Sequence, residues 1–196
     1  MRKKNKIIIV TYIFFKLSLQ SNIDFFQMKE ITNRLSLLFI CLGNICRSPA
    51  AEGVMKKMSN EHEMGNILEI DSAGIGNWHV GQLPDARMRE HALRRGYVLD
   101  SRARQFSERD LHRFDLIIVM DEENYREISS RTQSTEEKAK IVRMKDYFLQ
   151  SRDYNCVPDP YYGGAEDFEL ALDLIEDGCK GILQKLSASQ TTTIDS

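Results

Sequence analysis

The sequence predicts an α/β protein: a doubly wound, mainly four-stranded parallel sheet flanked by helices on both faces, in a single domain. Three observations carry that expectation. From Leu35 onward, segments of strand character alternate with segments of helical periodicity, as crossover connections in a parallel sheet produce. The run DLIIVM from Asp115 to Met120 is apolar after its first residue, which suits a central strand covered on both faces. The stretch LLFIC at 37–41 is followed closely by Ser48-Pro49, so a short loop joins a buried strand to a helix. In open α/β sheets, ligands bind at the carboxyl ends of the strands.

Taken in order, Leu35 to Cys41 reads as the first strand. Ser48 suits an N-cap and Pro49 the first helical position, where a missing N–H costs nothing. Ala51, Val54, Met55 and Met58 then fall at i, i+3, i+4 and i+7, one buried helical face. Ile67 to Ser72 is a second strand, and Trp78 lies in the loop after it. Pro84 to Arg95 reads as a helix stopped by Gly96. An extended piece over Arg102 to Phe106 precedes a small helix capped by Ser107. After the strand at 115–120 come a helix from Glu122 to Ser129, a polar loop, and a strand from Ile141 to Met144. Phe168, Ala171, Leu172, Ile175, Ile182, Leu183 and Leu186 stripe the last helix.

Residues 1–33 read as an N-terminal extension, loose or arising from a start assigned too early. Residues 34–187 form the domain, and 188–196 a loose polar tail. The extension begins with basic residues and an apolar stretch from Ile7 to Phe15, broken by Lys16. It has no small-residue cleavage site, and it falls short of the roughly 20 residues a membrane span needs. No stable membrane insertion is expected; an anchor is the weaker alternative.

Hydrophobic residues at 42% and charged residues at 29% are ordinary for a globular protein. A net charge of −2 supplies no positive field to attract nucleic acid. Cys41, Cys46, Cys156 and Cys179 are too sparse for a disulfide scaffold and show no zinc spacing, so no metal or other cofactor is expected. A reducing, cytoplasmic location fits. His62, His79, His91 and His112 stand in polar surroundings and read as surface residues.

The stretch CLGNICRSP, Cys41 to Pro49, carries the chemistry. Five residues separate Cys41 from Arg47, a loop short enough to curl around one tetrahedral anion. Gly43 tolerates backbone angles closed to other residues, so the N–H groups of Leu42, Gly43, Asn44, Ile45 and Cys46 are free to point inward. The following helix adds its positive end, and Arg47 adds a planar fork for two phosphate oxygens. Such surroundings bring a cysteine pKa from about 8.5 down to roughly 3.5–7.5. Cys41 is therefore expected to be a thiolate aimed at bound phosphorus. Such a thiolate is also sensitive to oxidation, and Cys46 is placed to capture its sulfenate as a disulfide or to pack beneath the loop. Asp159 stands between Pro158 and Pro160, a context that favours extended geometry and holds a carboxylate stiffly. Arg87, Arg89, Arg94, Arg95, Arg102 and Arg104 form a basic segment, read as a solvated face or a surface for acidic phosphopeptides.

Leu37 to Glu52 resembles the signature of the low-molecular-weight protein tyrosine phosphatases. The resemblance extends to DSAG at 71–74, MDEEN at 120–124 and PDPYYGG at 158–164. It implies a metal-independent hydrolase of phosphotyrosine and other aryl phosphate monoesters, working through a phosphocysteine intermediate on phosphotyrosine-containing proteins. Within it, Cys41 is the nucleophile, Arg47 the phosphate clamp, and Asp159 the general acid and then base. Ser48 donates to the cysteine sulfur, and Asn44 and Ser72 support the loop. Trp78 and Tyr161 wall the substrate pocket, with Tyr162 beside them.

Three alternatives are weighed against this reading. Protein arginine phosphatases on the same scaffold carry threonine where Ile45 stands. Arsenate reductases need a relay pair of cysteines, and residues 73–110 contain none. A non-catalytic phosphate-binding module would have no use for Cys41 together with Asp159. Neither the physiological substrate nor the oligomeric state is legible in the sequence.

Overall fold

Strand β1 (Leu35–Cys41) is buried from Ser36 to Cys41 and lies inside the sheet that its sequence predicts. The computed structural model describes residues 34–191; the extension at 1–33 falls outside them. Helix α1 (Arg47–Glu61) follows β1, and then β2 (Leu68–Gly74). Helices α2 (Ala86–Arg94) and α3 (Arg109–Arg113) lead to β3 (Leu116–Val119). Helices α4 (Glu122–Ser130) and α5 (Thr135–Ala139) lead to β4 (Ile141–Arg143). A 3₁₀ turn (Met144–Tyr147) and α6 (Ala165–Thr191) complete the order.

The four strands are all parallel, in the order β2-β1-β3-β4. Leu38, Ile40, Ile117 and Val119 join Phe106, Leu111, Phe114 and Ile128 in one core layer. Strand alternation turns Leu37, Phe39 and Ile118 to the opposite face, and they are buried as completely. Both faces are therefore covered, as the uninterrupted apolar strands require. The register sets Cys41 beside Gly74 and Ile40 beside Val119, so the carboxyl ends of the three neighbouring strands converge. The compact unit built this way runs from Arg34 to Leu183.

Several expected boundaries shift, for local reasons. The first helix begins at Arg47 with Cys46 at its N-cap position; Ser48 lies within the helix and directs its hydroxyl to other partners. Asp85, and not a residue at Pro84, starts α2, its carboxylate accepting from Arg87 N at 2.9 Å. The extended piece at 102–106 reduces to one parallel bridge, Gly74 to Gln105. Helix α3 starts after Glu108, one residue beyond the expected cap, while Asp110 reaches back to accept Ser107 N at 2.9 Å. The expected polar loop contains α5, capped by Ser134, whose Oγ accepts from Glu137 N at 3.1 Å. Helix α6 continues to Thr191, into the polar tail.

His91 is not a surface residue. It is buried, with Nδ1 2.5 Å from Glu169 Oε1 and its ring stacked on Phe168 at 5.5 Å. Glu169 also accepts from Arg95, whose guanidinium reaches Asp173 at 2.7 Å and Glu176 at 3.1 Å. These contacts fasten α2 to α6, and much of the basic segment is spent in such pairs. His91 first, and then Arg95, hold the Glu169 carboxyl below its ordinary range. A lowered native pKa stabilises the fold above the unfolded value, and that stabilisation is lost as pH falls through the native one. Glu169→Gln is thus expected to lower the Tm at pH 7, with the gap to wild type narrowing once pH drops below about 4. Thermal unfolding followed by circular dichroism at both pH values checks this; a pH-independent gap would remove the ionic contribution.

Candidate active site

Cys41 closes β1 and is 3% exposed. Its Sγ lies 3.1 Å from Ser48 Oγ. Asn44 Nδ2 donates to that same oxygen at 2.9 Å, and Ala73 O lies 3.2 Å away as an alternative acceptor. With one lone pair of Ser48 occupied by Asn44, its single proton goes to the sulfur or to the carbonyl. A negative sulfur would take it, since charge-assisted hydrogen bonds are the stronger ones.

The loop's unusual backbone belongs to Asn44, which has φ 57°. Gly43, expected to supply that freedom, is not among the positive-φ residues. Glycine at 43 answers a different need: a Cβ there would stand 3.1 Å from His79 Cδ2. Asn44 holds its left-handed conformation, which short polar side chains tolerate best, through every polar atom of its amide. Nδ2 also donates to Ser72 Oγ at 2.8 Å, while Oδ1 accepts Arg104 N at 2.9 Å. Behind it, Ser72 Oγ donates to buried Glu52 at 2.6 Å, and Lys56 pairs with Glu52 at 2.5 Å. Ser72 thus bonds both Asn44 and Glu52 from β2. Glu52 and Arg104 extend the same support, with no distinguishing signal in the sequence.

Arg47 is buried to 3% exposure. Its Nη1 donates to Asp121 Oδ2 at 2.6 Å and to Val157 O at 3.3 Å, and its Nη2 to Asp159 Oδ2 at 2.5 Å. Burial alone would lower its pKa, but Cys41, Asp159 and Asp121 outweigh burial and raise it. Nε is buried with no hydrogen-bond partner among the described residues, an arrangement proteins rarely leave standing. A cationic donor at the base of an anion-sized loop is suited to a phosphate oxygen. Asp121, at the end of β3, also caps α4 by accepting Asn124 N at 2.7 Å. It is a functional residue the sequence reading did not single out, although a carboxylate at a strand's carboxyl end is a usable signal.

Cys46 is buried next to this group. Burial first, then Asp85 and Cys41, push its thiol up, so it sits as a neutral side chain, and both loop cysteines are free thiols. Leu42 is partly exposed on the outer side, whereas Ile45 is buried.

The rim is aromatic. Ile75 N and Gly76 N donate to Cys41 O at 3.0 Å and Leu42 O at 2.9 Å, which lays the loop carrying Trp78 alongside the anion loop. Trp78 is 65% exposed and rests over Gly76, where no Cβ would fit. Tyr161 meets Tyr162 edge-on at 4.9 Å and His79 at 6.4 Å. His79, read as a surface residue, is therefore half-buried between Gly43 and Tyr161. Tyr162 itself is almost wholly exposed. Asp159 is held from both sides, Oδ1 accepting Tyr161 N at 3.2 Å while Oδ2 takes Arg47. Among the described residues, no three His, Cys, Asp or Glu side chains gather in a way that could hold a metal ion.

A family model described as low molecular weight phosphotyrosine protein phosphatase matches residues 36–192. The low molecular weight protein-tyrosine-phosphatase YfkJ of Bacillus subtilis is 41% identical over 153 residues, covering 78% of this chain and 96% of the relative. The human low molecular weight phosphotyrosine protein phosphatase is 36% identical over 151 residues, covering 76% and 94%. Among solved structures, a protein tyrosine phosphatase from Entamoeba histolytica with Hepes in the active site superposes with a TM-score of 0.77 at 43% identity. It covers 80% of this chain and 99% of that one.

One position tests how tightly the anion loop is held. A Cβ at Gly74 would lie 2.9 Å from Gly43 C and 3.0 Å from Asn44 N, both backbone atoms that cannot swing aside. Gly74→Ala is expected to cost about 1–3 kcal/mol of stability, as over-packing does, and to weaken inorganic phosphate binding markedly by displacing the loop. Chemical denaturation and phosphate inhibition, measured on the same sample, check it. Wild-type phosphate affinity would mean the loop is not seated on β2.

Proposed function

This chain belongs to the low molecular weight phosphotyrosine protein phosphatases, and from that premise we propose how its own residues divide the work of a protein-tyrosine phosphatase. Cys41 is the nucleophile. Its thiolate attacks phosphorus, forming an S–P bond as the P–O bond to the tyrosine ring breaks. Asp159, protonated, gives its proton to the departing phenolate oxygen. Water then attacks the phosphocysteine, its proton passes to the Asp159 carboxylate, the S–P bond breaks, and phosphate leaves.

The observation that carries this assignment is the guanidinium of Arg47, which closes the loop that begins at Cys41 and pairs with the Asp159 carboxylate at 2.5 Å. A bound phosphate dianion competes with Asp159 for that cation. A carboxyl released from that cation is free to turn toward the ester oxygen, where a general acid must lie within hydrogen-bond reach. Leu42, Gly43, Asn44, Ile45 and Cys46 are proposed to line the phosphate loop, with Ser48 stabilising the sulfur and Ser72 the loop. Trp78, Tyr161 and Tyr162 are proposed to hold the aromatic ring of phosphotyrosine-containing proteins. A cytoplasmic location is part of the proposal, supported by free cysteines among the described residues. No described helix is long and apolar enough to cross a membrane.

Two substitutions test the assignment. Cys41→Ser is expected to reduce turnover of p-nitrophenyl phosphate at least about 100-fold, because a hydroxyl stays protonated where a thiol ionises, while vanadate still protects the protein against heat. Turnover within a few-fold of wild type would exclude a thiolate mechanism. Asp159→Asn is expected to slow phenyl phosphate hydrolysis by about 10²-fold or more and to affect p-nitrophenyl phosphate less, since a good leaving group needs little protonation. A uniform loss across leaving groups would take Asp159 out of the acid role.

A further inference from the structure

We propose that Arg87, clamped by Asp85, is a positioning residue that fixes the segment bearing Asp159 against the phosphate loop. The inference rests on the general-acid role of Asp159 and names what holds that acid in place. Asp85 N donates to Ile45 O at 2.8 Å, so the start of α2 is hydrogen-bonded directly to the anion loop. The Asp85 carboxylate accepts Arg87 Nε at 3.1 Å and Nη2 at 2.9 Å, a two-point grip that orients the planar guanidinium. The same Nη2 donates to Tyr161 O at 3.0 Å, and the guanidinium lies 4.7 Å from the Phe168 ring centre and 5.6 Å from that of Tyr161. Tyr161, in turn, donates its N–H to Asp159 Oδ1.

A continuous path therefore runs from Ile45 through Asp85, Arg87 and Tyr161 to the acid. Besides it, the Asp159 carboxylate pairs with Arg47, and its segment is tied down at Val157, whose N–H donates to Met120 O at 2.9 Å; the Arg47 pair is the one a bound phosphate contests. The clasp is independent of Arg47 and persists when substrate arrives. An isolated surface ion pair contributes little to stability. Here the pair serves orientation, because a general acid acts only within hydrogen-bond reach of the oxygen it protonates.

Arg87→Met keeps the unbranched stem over Phe168 and removes the fork; Arg87→Lys keeps the charge and loses the fork. Both are expected to lower kcat/KM for phenyl phosphate by about tenfold or more, a fraction of the full general-acid contribution. Both should leave p-nitrophenyl phosphate within a few-fold of wild type and inhibition by inorganic phosphate unchanged. Combined with Asp159→Asn, Arg87→Met should add almost nothing, since the residue acts through the one already removed. Equal losses for both leaving groups, full recovery by Arg87→Lys, or additive losses in the double variant would each overturn the proposal. Asp159→Asn alone separates the two ideas. If its loss depends on the leaving group while that of Arg87→Met does not, the clasp fails and the acid stands. If Asp159→Asn shows no such dependence, the acid assignment fails and the clasp falls with it.

Discussion

A guanidinium buried to 3% exposure cannot keep its charge without anions around it, and the active end of this fold is arranged to supply them. Removing an ion from water costs several kcal/mol even after relaxation, so Arg47 needs partners from more than one direction. Asp121 comes from the carboxyl end of β3 and Asp159 from the segment before α6. Two separate parts of the chain are thereby tied to the start of α1 by one cation. The parallel sheet makes this possible, because β1 and β3 are neighbours whose carboxyl ends point the same way. A phosphate dianion bound there would meet a site whose charge is balanced beforehand, and would compete with one of those carboxylates for the guanidinium.

The second constraint is conformational. Asn44 at φ 57° occupies a region that costs an ordinary L-residue about 1–2 kcal/mol, and the structure over-determines it. Ser48 from α1, Ser72 from β2 and the main chain of Arg104 all bond its amide. A conformation held this firmly fixes the loop's shape before a ligand arrives, so ligand binding need not order the loop. The same Ser48 oxygen that accepts from Asn44 faces the Cys41 sulfur, which couples loop shape to the state of the nucleophile.

Much of this was readable from residues alone, and the exceptions have a common physical origin. The span of β1 follows from its apolar run, and the Cys41–Arg47 loop from its spacing. Ser48 was misplaced because a serine before proline is a good cap by local rules, whereas here its hydroxyl is needed by sulfur and asparagine across the loop. Gly43 is expected to supply the loop's backbone freedom, since glycine is the usual choice, yet Asn44 takes the left-handed conformation and Gly43 instead gives close room to His79. His91 was read as exposed from polar neighbours, yet its Glu169 partner lies far along the chain on another helix. Asp121 shows only as a carboxylate at a strand's carboxyl end, and Arg87 only as one of a run of arginines; their contacts to Arg47 and to Tyr161 O lie far along the chain. In each case the deciding contact is non-local, and periodicity cannot register it.

Exposure rises from the floor of the site outward: Cys41 and Arg47 at 3%, the Asp159 side chain at 40%, Trp78 at 65%. That gradient bears on substrate choice. With Cys41 and Asp159 in their proposed roles, phosphorus must reach buried sulfur while the ester oxygen lies within reach of Asp159. A phosphoserine would have to bring its own main chain almost to that level, against the partly exposed rim of Leu42, Trp78 and Tyr161. Phosphotyrosine places a rigid ring in that interval, and ring-on-ring contact contributes about 0.5–1.5 kcal/mol beyond simple burial. An aryl ester therefore suits a buried Cys41 beneath an exposed aromatic rim, with Asp159, the proposed acid, next to Tyr161 in that rim.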